Sequence, residues 1–285
     1  MSSWRESTRT EIQTYYRREF PQYLERLPDF LTPDGPQQFA LAFDERYPVR
    51  GSDVPPRDFI RRDTWETTRG GAQQRENFPS QESLLTFIQL PADADPLGGR
   101  SGLADPAVVE QPRPIPKAVY YSLEHWDRSW ILLVDIDAKD VAEERIEKNQ
   151  LGKATLEATP PAGYPYAFED IERAIEYGFE VERIFTERLN ATETMVVYTG
   201  QGAHVYLLDD DRHHRYDAKS RELLNDLLET TYEIPIDPVV TADRRRVARL
   251  PYSLHTDVSR IAQPIESPEF DFRTEAQPDF LESHD

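Results

Sequence analysis

Apolar positions along the chain recur at helical spacing in some segments and in short extended runs in others. Apolar and aromatic residues spaced among charges predict one or two short helices within residues 8–31. The same spacing predicts a longer helix over residues 168–189 and another over residues 141–149. Asp217 precedes a leucine-rich periodic segment and is predicted to cap a further helix.

Short apolar runs bounded by turn residues predict five strands. The run over residues 130–137 is almost wholly apolar, as expected of a buried strand. A Thr-Gly-Gln-Gly turn separates the last two runs and predicts that they pair through a tight connection. Strands and helices mixed in this way indicate an α+β fold. The predicted strands cover residues 39–43, 118–122, 130–137, 194–198 and 203–208.

The chain has 285 residues, which allows one large domain or two small ones. It contains no internal repeat. Residues 91–116 are rich in Pro, Gly, Ala and Asp and lack periodicity, so a long surface loop or insertion is predicted there. Residues 264–285 are predicted to form an acidic C-terminal tail.

Two features of the sequence limit the kinds of functional site and the cellular location that are expected. Cysteine is absent, which excludes disulfides, thiol nucleophiles and cysteine-based zinc sites, so no zinc is expected. Any metal would bind to oxygen or imidazole ligands.

No run approaches the roughly 20 apolar residues of a membrane span, and the N-terminus is too polar for a signal peptide. We therefore expect a soluble, cytoplasmic protein without a membrane partner.

The formal net charge is −20, with five Lys against 28 Arg. Acidic chains ordinarily bind polyanions weakly, because nucleic-acid affinity comes largely from basic side chains that neutralise phosphates. We interpret the composition as adaptation to a salt-rich, haloarchaeal-type cytoplasm, where screening shortens the range of charge repulsion to a few ångströms. Under that interpretation, local arginine clusters indicate partners better than the net charge does.

Asp135 and Asp137 lie at the end of the apolar strand, separated by Ile136. Because side chains alternate along a strand, both carboxylates are predicted to project from the same face. Hard oxygen ligands placed together favour Mg²⁺ or Mn²⁺. An isolated Asp-x-Asp is also a common way for a strand to end in polar residues, so the motif alone leaves both readings open.

Two further segments are candidates for phosphate binding. The turn over residues 199–204 has glycine N–H groups that could face a phosphate, with His204 at the start of the next strand. A hairpin turn would need the same glycines.

Residues 244–249 contain four Arg in six positions, followed by Ser253 and His255. A solvated basic turn is the alternative, but arginine forks suit phosphate oxygens.

Taken in order, these motifs resemble those of the small catalytic subunit of archaeal and eukaryotic primases, in the archaeo-eukaryotic primase superfamily. The similarity extends to residues 15–21 and 269–271, which favours a single catalytic domain over residues 1–285 with the primase fold. The ordered motifs are residues 121–122, 133–137 (Leu-Val-Asp-Ile-Asp), 198–204, 237–241 and 249–255.

The resemblance implies a function for the site. Asp135, Asp137 and Asp237 would be the catalytic, metal-binding carboxylates of a two-metal Mg²⁺ or Mn²⁺ site, with Asp243 as the rival to Asp237. The implied activity is template-directed nucleotidyl transfer, with single-stranded DNA as template and nucleoside triphosphates as substrates. A primase large subunit stays open as a partner. The implied nucleotide-binding residues are Thr199, Gly200, His204, Arg249, Ser253, His255 and Arg50.

The chain departs from the primase pattern in three places. A cysteine-based zinc knuckle is excluded, the Arg-Glu-Phe motif becomes Gln37-Gln-Phe39, and the glycine turn is one residue shorter than in cellular primases. A divergent or mobile-element form is consistent with these changes. Three alternatives remain at this point: a gap-filling or end-joining polymerase of the same superfamily, a non-catalytic nucleic-acid-binding subunit, and a metal-dependent phosphohydrolase or nuclease.

Overall fold

The helices of the computed structural model are short near the N-terminus and longer in the centre of the chain. A π-helical turn, Tyr15–Glu19, links the first two helices, and a 3₁₀ turn, Leu24–Arg26, follows them. The helices are α1 Arg9–Thr14, α2 Phe20–Tyr23, α3 Ala138–Asn149, α4 Phe168–Arg188, α5 Ala218–Thr231, α6 Pro238–Ala242 and α7 Asp279–Glu282. The structure describes residues 4–28, 31, 39–47, 57–61, 67–69, 72–74, 116–123, 131–149, 159–209, 216–243 and 246–282.

In the described part of the chain, the strands form two four-stranded antiparallel sheets and two small ribbons. The first sheet has the order β2-β1-β5-β9, the second has the order β12-β7-β8-β6, and the ribbons are β3-β4 and β10-β11. The strands are β1 Phe39–Tyr47, β2 Arg57–Arg61, β3 Thr67–Arg69, β4 Ala72–Gln74, β5 Pro116–Ser122, β6 Leu132–Asp137, β7 Thr194–Tyr198, β8 Gly202–Leu207, β9 Val247–Arg249, β10 Leu254–His255, β11 Arg260–Ile261 and β12 Gln263–Ile265.

Strand β6 divides the apolar interior into two clusters. Its residues Leu132 and Val134 pack with α4 on one face of the second sheet. Its residue Leu133 lies on the opposite face, in a cluster shared with β1, β5 and the N-terminal helices. Because alternate residues of a strand face opposite ways, a continuous apolar run is what a strand buried on both faces requires.

The N-terminal helical segment is fixed against the segment that follows β9. The hydroxyl group of Tyr16 lies 2.9 Å from the hydroxyl group of Ser253. The hydroxyl group of Tyr15 donates a hydrogen bond to the main-chain carbonyl of Tyr252. Both tyrosines are buried, so these bonds join two segments that are far apart in the sequence.

The architecture is mixed α/β with antiparallel sheets, which is compatible with the predicted α+β class. Strands β7 and β8 pair as predicted, with Tyr198 opposite Ala203. Asp217 caps α5 as predicted, because its Oδ1 accepts a hydrogen bond of 2.8 Å from the N–H of Ser220. No helix in the described ranges is both long and apolar enough to cross a membrane.

The predicted C-terminal tail lies mostly within the described residues, whereas the predicted loop lies mostly outside them. Residues 264–282, the described part of the predicted tail, include the end of β12 and α7, and they bury Phe272 and Ala276 in the core. Residues 91–115 of the predicted loop lie outside the described residues. A single domain over the whole chain stays a prediction.

Candidate active site

Asp135 and Asp137 lie on the face of the second sheet that also carries Leu133. Both are partly exposed, whereas the apolar residues of the same strand are fully buried. Across the sheet, Asp135 is opposite His204 and Asp137 is opposite Gly202. A Cβ atom on Gly202 would lie 2.1 Å from the carbonyl oxygen of Ile136, so only glycine allows the strands to approach this closely. The glycine turn therefore ends directly beside the carboxylate pair.

Asp237 joins this pair through the backbone. Its main-chain N–H donates a hydrogen bond of 2.9 Å to the carbonyl of Asp135. Its side-chain Oδ1 caps α6 by accepting hydrogen bonds from the N–H groups of Val239 and Val240, at 2.8 and 3.0 Å. The rival candidate Asp243 lies beyond the other end of α6, where its carboxylate is 3.6 Å from Arg246. The structure therefore holds Asp237 against the strand that carries the pair.

The surroundings of Asp137 change its pKa. Burial, followed by the negative charges of Asp135 and Asp140, raises the pKa of Asp137 to about 8. The charge of Asp237 adds to this effect, and the nearby ammonium group of Lys139 opposes it. Burial also raises the pKa of Asp140. Asp137 is thus a carboxyl group that its surroundings keep protonated near neutral pH, because ionisation would add another anion to a poorly solvated cluster.

These carboxylates fit a divalent cation in part. One oxygen of Asp135 is buried and lacks a hydrogen-bond partner, although the Nε2 atom of His204 lies 3.3 Å from it. A cation would satisfy that oxygen and would favour the ionised form of Asp137. Within the described ranges, however, no three His, Asp or Glu side chains are already arranged to hold a metal ion. Oδ1 of Asp237 is occupied by the helix cap, so Asp237 would have to contribute its other oxygen or reorient.

His204 lies on the carboxylate side of the site. Its Nε2 atom is the one that approaches Asp135, and its Nδ1 atom lies 3.0 Å from the hydroxyl group of Tyr206. Both ring nitrogens therefore have polar neighbours within the sheet. The resemblance implies that His204 contacts a phosphate. In the structure its two ring nitrogens lie beside Asp135 and Tyr206.

The glycine turn packs against His255. Gly200 has a φ of +109°, which only glycine adopts easily, and its carbonyl accepts a hydrogen bond of 2.7 Å from the hydroxyl group of Tyr198. A Cβ atom on Gly200 would lie 2.5 Å from the Cβ atom of His255. The N–H of Thr199 closes the turn by donating to the carbonyl of Gly202 at 3.0 Å. The structure thus brings the turn and the terminal histidine of the last motif into direct contact.

A group of basic side chains surrounds His255. Burial, and then the positive charges of Arg249 and Lys117, lower the pKa of His255 well below its usual value. The Nδ1 atom of His255 is buried without a hydrogen-bond partner. Arg249 is held in place by donating to the carbonyl of Leu254 at 3.1 Å and to the hydroxyl group of Tyr120 at 3.3 Å. His255 is therefore neutral beside two cations, an arrangement that an anion would relieve.

Other predicted residues have different positions. The hydroxyl group of Ser253 is fully buried, accepts a hydrogen bond of 3.0 Å from the N–H of Val119 and also contacts Tyr16. Ser253 thus helps to build the wall behind the basic group, and nucleotide binding by its side chain stays a prediction. Arg50 and Gln37 lie outside the described residues.

Three residues that lie at the site in the structure were not predicted from the sequence. Lys117 is the second residue of β5, the strand that pairs with the strand of Arg249, and its rarity as one of five lysines in the sequence could have marked it as a candidate. Asp140 lies in the first turn of α3, which begins directly after Asp137, and its charge acts on the pKa of Asp137. The guanidinium carbon of Arg249 lies 5.2 Å from the ring centroid of Tyr120, a contact that depends on strand register and that the sequence did not indicate.

Comparison with known proteins gives one informative match. No protein-family model matches the chain. Over 89 residues the chain is 38% identical to a protein of Archaeoglobus fulgidus described as an uncharacterized DNA primase small subunit-like protein. The match covers 30% of this chain and 30% of that protein. It supports a primase-like relationship. Most of both chains lies outside the matched stretch.

Proposed function

We propose that this chain is a primase-like nucleotidyltransferase of the archaeo-eukaryotic superfamily, which joins nucleotides on a single-stranded DNA template. The observation that carries the proposal is that acidic side chains and basic side chains lie on either side of one glycine turn. On one side of the turn lie Asp135 and Asp137, and on the other lie His255 and Arg249. Carboxylates facing a basic group are what a metal-bound triphosphate requires.

On the acidic side, Asp135 and Asp137 would hold a divalent cation, Mg²⁺ or Mn²⁺, with Asp237 as the third ligand. When bound, two such ions lower the pKa of an attacking hydroxyl group and neutralise charge on a leaving phosphate. The chain itself contributes the poorly solvated carboxylate pair, which gains most from a cation because Asp137 is otherwise driven toward protonation.

On the basic side, Arg249 and His255 would orient the triphosphate of the incoming nucleotide. Two N–H groups of the Arg249 guanidinium donate to the carbonyl of Leu254 and to the hydroxyl group of Tyr120, and its other N–H groups would bind phosphate oxygens. Thr199 and Gly200 form the turn between the two sides and would place main-chain groups along the phosphates. These contacts would help to position the α-phosphate for attack by a primer 3′-hydroxyl group.

The test is nucleotide incorporation by the purified chain on primed and unprimed single-stranded DNA. Ribo- and deoxynucleotides are supplied separately, with Mg²⁺ or Mn²⁺ at high salt. The double variant Asp135→Ala with Asp137→Ala is expected to lose incorporation while it keeps its fold. Glu187→Ala is the control, because Glu187 is an exposed carboxylate near the end of α4.

The outcomes separate the remaining alternatives. Incorporation at the wild-type rate by the double variant would refute the catalytic assignment. Template binding without incorporation by the wild-type chain would favour a non-catalytic primase-like subunit. Extension of primed DNA without activity on unprimed DNA would favour a gap-filling or end-joining polymerase of the superfamily.

A further inference from the structure

Two neighbouring side chains on one face of β8 form a buried polar contact beside the carboxylates. His204 and Tyr206 are two positions apart on this strand, so their side chains project from the same face. The Nδ1 atom of His204 lies 3.0 Å from the hydroxyl group of Tyr206, and the two rings meet edge to face with centroids 6.0 Å apart. Both residues are buried, so water has little access to their contact.

The other ring nitrogen of His204 faces the carboxylate pair. His204 is directly opposite Asp135 in the pairing of β8 with β6, and its Nε2 atom lies 3.3 Å from Oδ1 of Asp135. Apart from this approach, that buried oxygen has no hydrogen-bond partner among the described residues. The imidazole ring of His204 therefore lies between a phenol and a carboxylate, with one nitrogen toward each.

The chemistry of these three groups indicates where the proton of a neutral His204 ring lies. A neutral imidazole has one N–H, an ionised carboxylate oxygen can only accept, and a hydroxyl group can donate or accept. A proton on Nε2 therefore gives the buried oxygen of Asp135 a donor and leaves Nδ1 to accept from Tyr206. A proton on Nδ1 would instead place two acceptors, Nε2 and the carboxylate oxygen, against each other. Burial raises the pKa of Tyr206, so the phenol keeps the proton that it donates.

Packing between the two sheets holds Tyr206 in place. Its ring stacks on the ring of Tyr121 from β5, with centroids 6.5 Å apart and planes inclined by 30°. Both rings are fully buried in the core cluster shared by the first sheet and the N-terminal helices. Tyr206 is therefore a fixed donor, whereas the smaller ring of His204 could otherwise turn about its side-chain torsions. The orientation of the His204 ring thus depends on the hydroxyl group of Tyr206.

We propose that Tyr206 is a positioning residue for the carboxylate site. Its hydroxyl group donates to Nδ1 of His204 and fixes the ring with its N–H on Nε2, and this N–H holds Oδ1 of Asp135. The second oxygen of Asp135 is left for a ligand. The inference rests on the proposed function only in taking that ligand to be a divalent cation. It differs from the phosphate contact that the resemblance implies for His204, because here the imidazole acts on Asp135.

Nuclear magnetic resonance of the metal-free chain with ¹⁵N-labelled histidine shows which ring nitrogen carries the proton, at about pH 8, where an ordinary imidazole is neutral. The signals of His204 are those missing from the spectrum of His204→Leu. In the wild type they should show a proton on Nε2 and an Nδ1 atom that accepts a hydrogen bond. Tyr206→Phe keeps the ring but removes the donor, so the Nδ1 signal should shift to that of a free acceptor. The Nε2 proton should then exchange faster with water.

Binding of Mn²⁺ alone, followed by electron paramagnetic resonance, tests the effect on the carboxylates. Removal of a group that orients a ligating residue typically weakens metal binding about 10–100-fold, so Tyr206→Phe should weaken Mn²⁺ binding by about tenfold or more. If Tyr206 acts only through His204, the same change in a His204→Leu background should have no further effect. Tyr15→Phe is the matched control, because it removes another buried tyrosine hydroxyl group, which donates to the carbonyl of Tyr252. Its Mn²⁺ affinity and His204 signals should equal those of the wild type.

A wild-type His204 ring with its proton on Nδ1, or with protons on both nitrogens, would overturn the inference, and that measurement needs no variant. Unchanged Mn²⁺ affinity in Tyr206→Phe, an equal loss in the His204→Leu background, or a wild-type chain that binds no Mn²⁺ would also overturn it. Melting temperatures show whether each variant is folded. Mn²⁺ binding that depends on Tyr206 without nucleotide incorporation would refute the proposed function and support this inference. Incorporation with Mn²⁺ affinity independent of Tyr206 would refute this inference alone.

Discussion

The main-chain N–H of Asp237 donates a hydrogen bond of 2.9 Å to the main-chain carbonyl of Asp135. This bond ties the start of α6 to the end of β6, two elements separated by about a hundred residues of sequence. It fixes the backbone of a third carboxylate residue beside Asp135 and Asp137. The side chain of Asp237 is meanwhile used as a helix cap, so the structure combines a local stabilising role with a position at the candidate site.

Stability should depend on pH through Asp137 in the opposite sense to most aspartates. Its pKa is about 8 in the folded chain and near 3.8 ordinarily, so the folded state binds the proton more tightly. The free energy of unfolding should therefore fall as pH rises from about 4 to about 8. Each pKa unit corresponds to about 1.4 kcal/mol, which places the total effect on the order of several kcal/mol.

Asp137→Asn removes this titration and is the variant that measures it. Its free energy of unfolding in denaturant, compared with the wild type without divalent metal, should match near pH 4 and exceed the wild-type value near pH 8. Other titrating groups, including Asp140, are common to both chains and largely cancel. A constant difference between Asp137→Asn and wild type across this range would contradict the shifted pKa.

Arg249→Ala should weaken nucleotide binding more than template binding. Hydrogen bonds to charged groups contribute about 1.5–3 kcal/mol, so the expected loss of nucleotide affinity is about tenfold or more. Arg246→Ala is the control, because Arg246 lies in the same arginine-rich segment but is paired with Asp243. Calorimetric titration with a nonhydrolysable nucleotide gives the first affinity, and oligomer anisotropy gives the second. If only oligomer binding falls, Arg249 belongs to the template path.

Gly200→Ala should impair nucleotide binding by displacing His255. The added Cβ atom would lie 2.5 Å from the Cβ atom of His255, and the φ of +109° is strained for alanine. Gly163→Ala is a matched control, because Gly163 has a φ of +88° but no atom within 4 Å of the new Cβ. Both variants should lose stability from backbone strain, whereas nucleotide affinity should fall only for Gly200→Ala. Equal nucleotide affinity in the two variants would show that contact with His255 does not matter for binding.

The acidic composition predicts that salt stabilises the fold. With 53 acidic and 33 basic residues, self-repulsion should destabilise the folded chain in dilute buffer and should be screened in concentrated salt. The melting temperature should rise between dilute buffer and about 2 M KCl, where the screening length is near 2–3 Å. Choline chloride at the same ionic strength distinguishes screening from a specific effect of K⁺. A flat or falling melting temperature would contradict salt adaptation.

The sequence by itself determined the features that depend on near neighbours. Alternation along a strand put Asp135 and Asp137 on one face, and a capping residue before a leucine-rich run located the start of α5. Helix and strand periodicity also predicted the α+β class, with which the antiparallel sheets of the structure are compatible. These patterns are local, because backbone geometry fixes the relation between residues a few positions apart.

Only the tertiary structure decided which distant segments meet. It bonded Asp237 to Asp135, packed Gly200 on His255, and brought Lys117 close enough to act on the pKa of His255. It also committed the hydroxyl group of Ser253 to buried hydrogen bonds, which its place in a motif did not indicate. The physical reason is that strand register and packing between remote segments depend on the whole fold, whereas periodicity reports only which face of its own element a residue occupies.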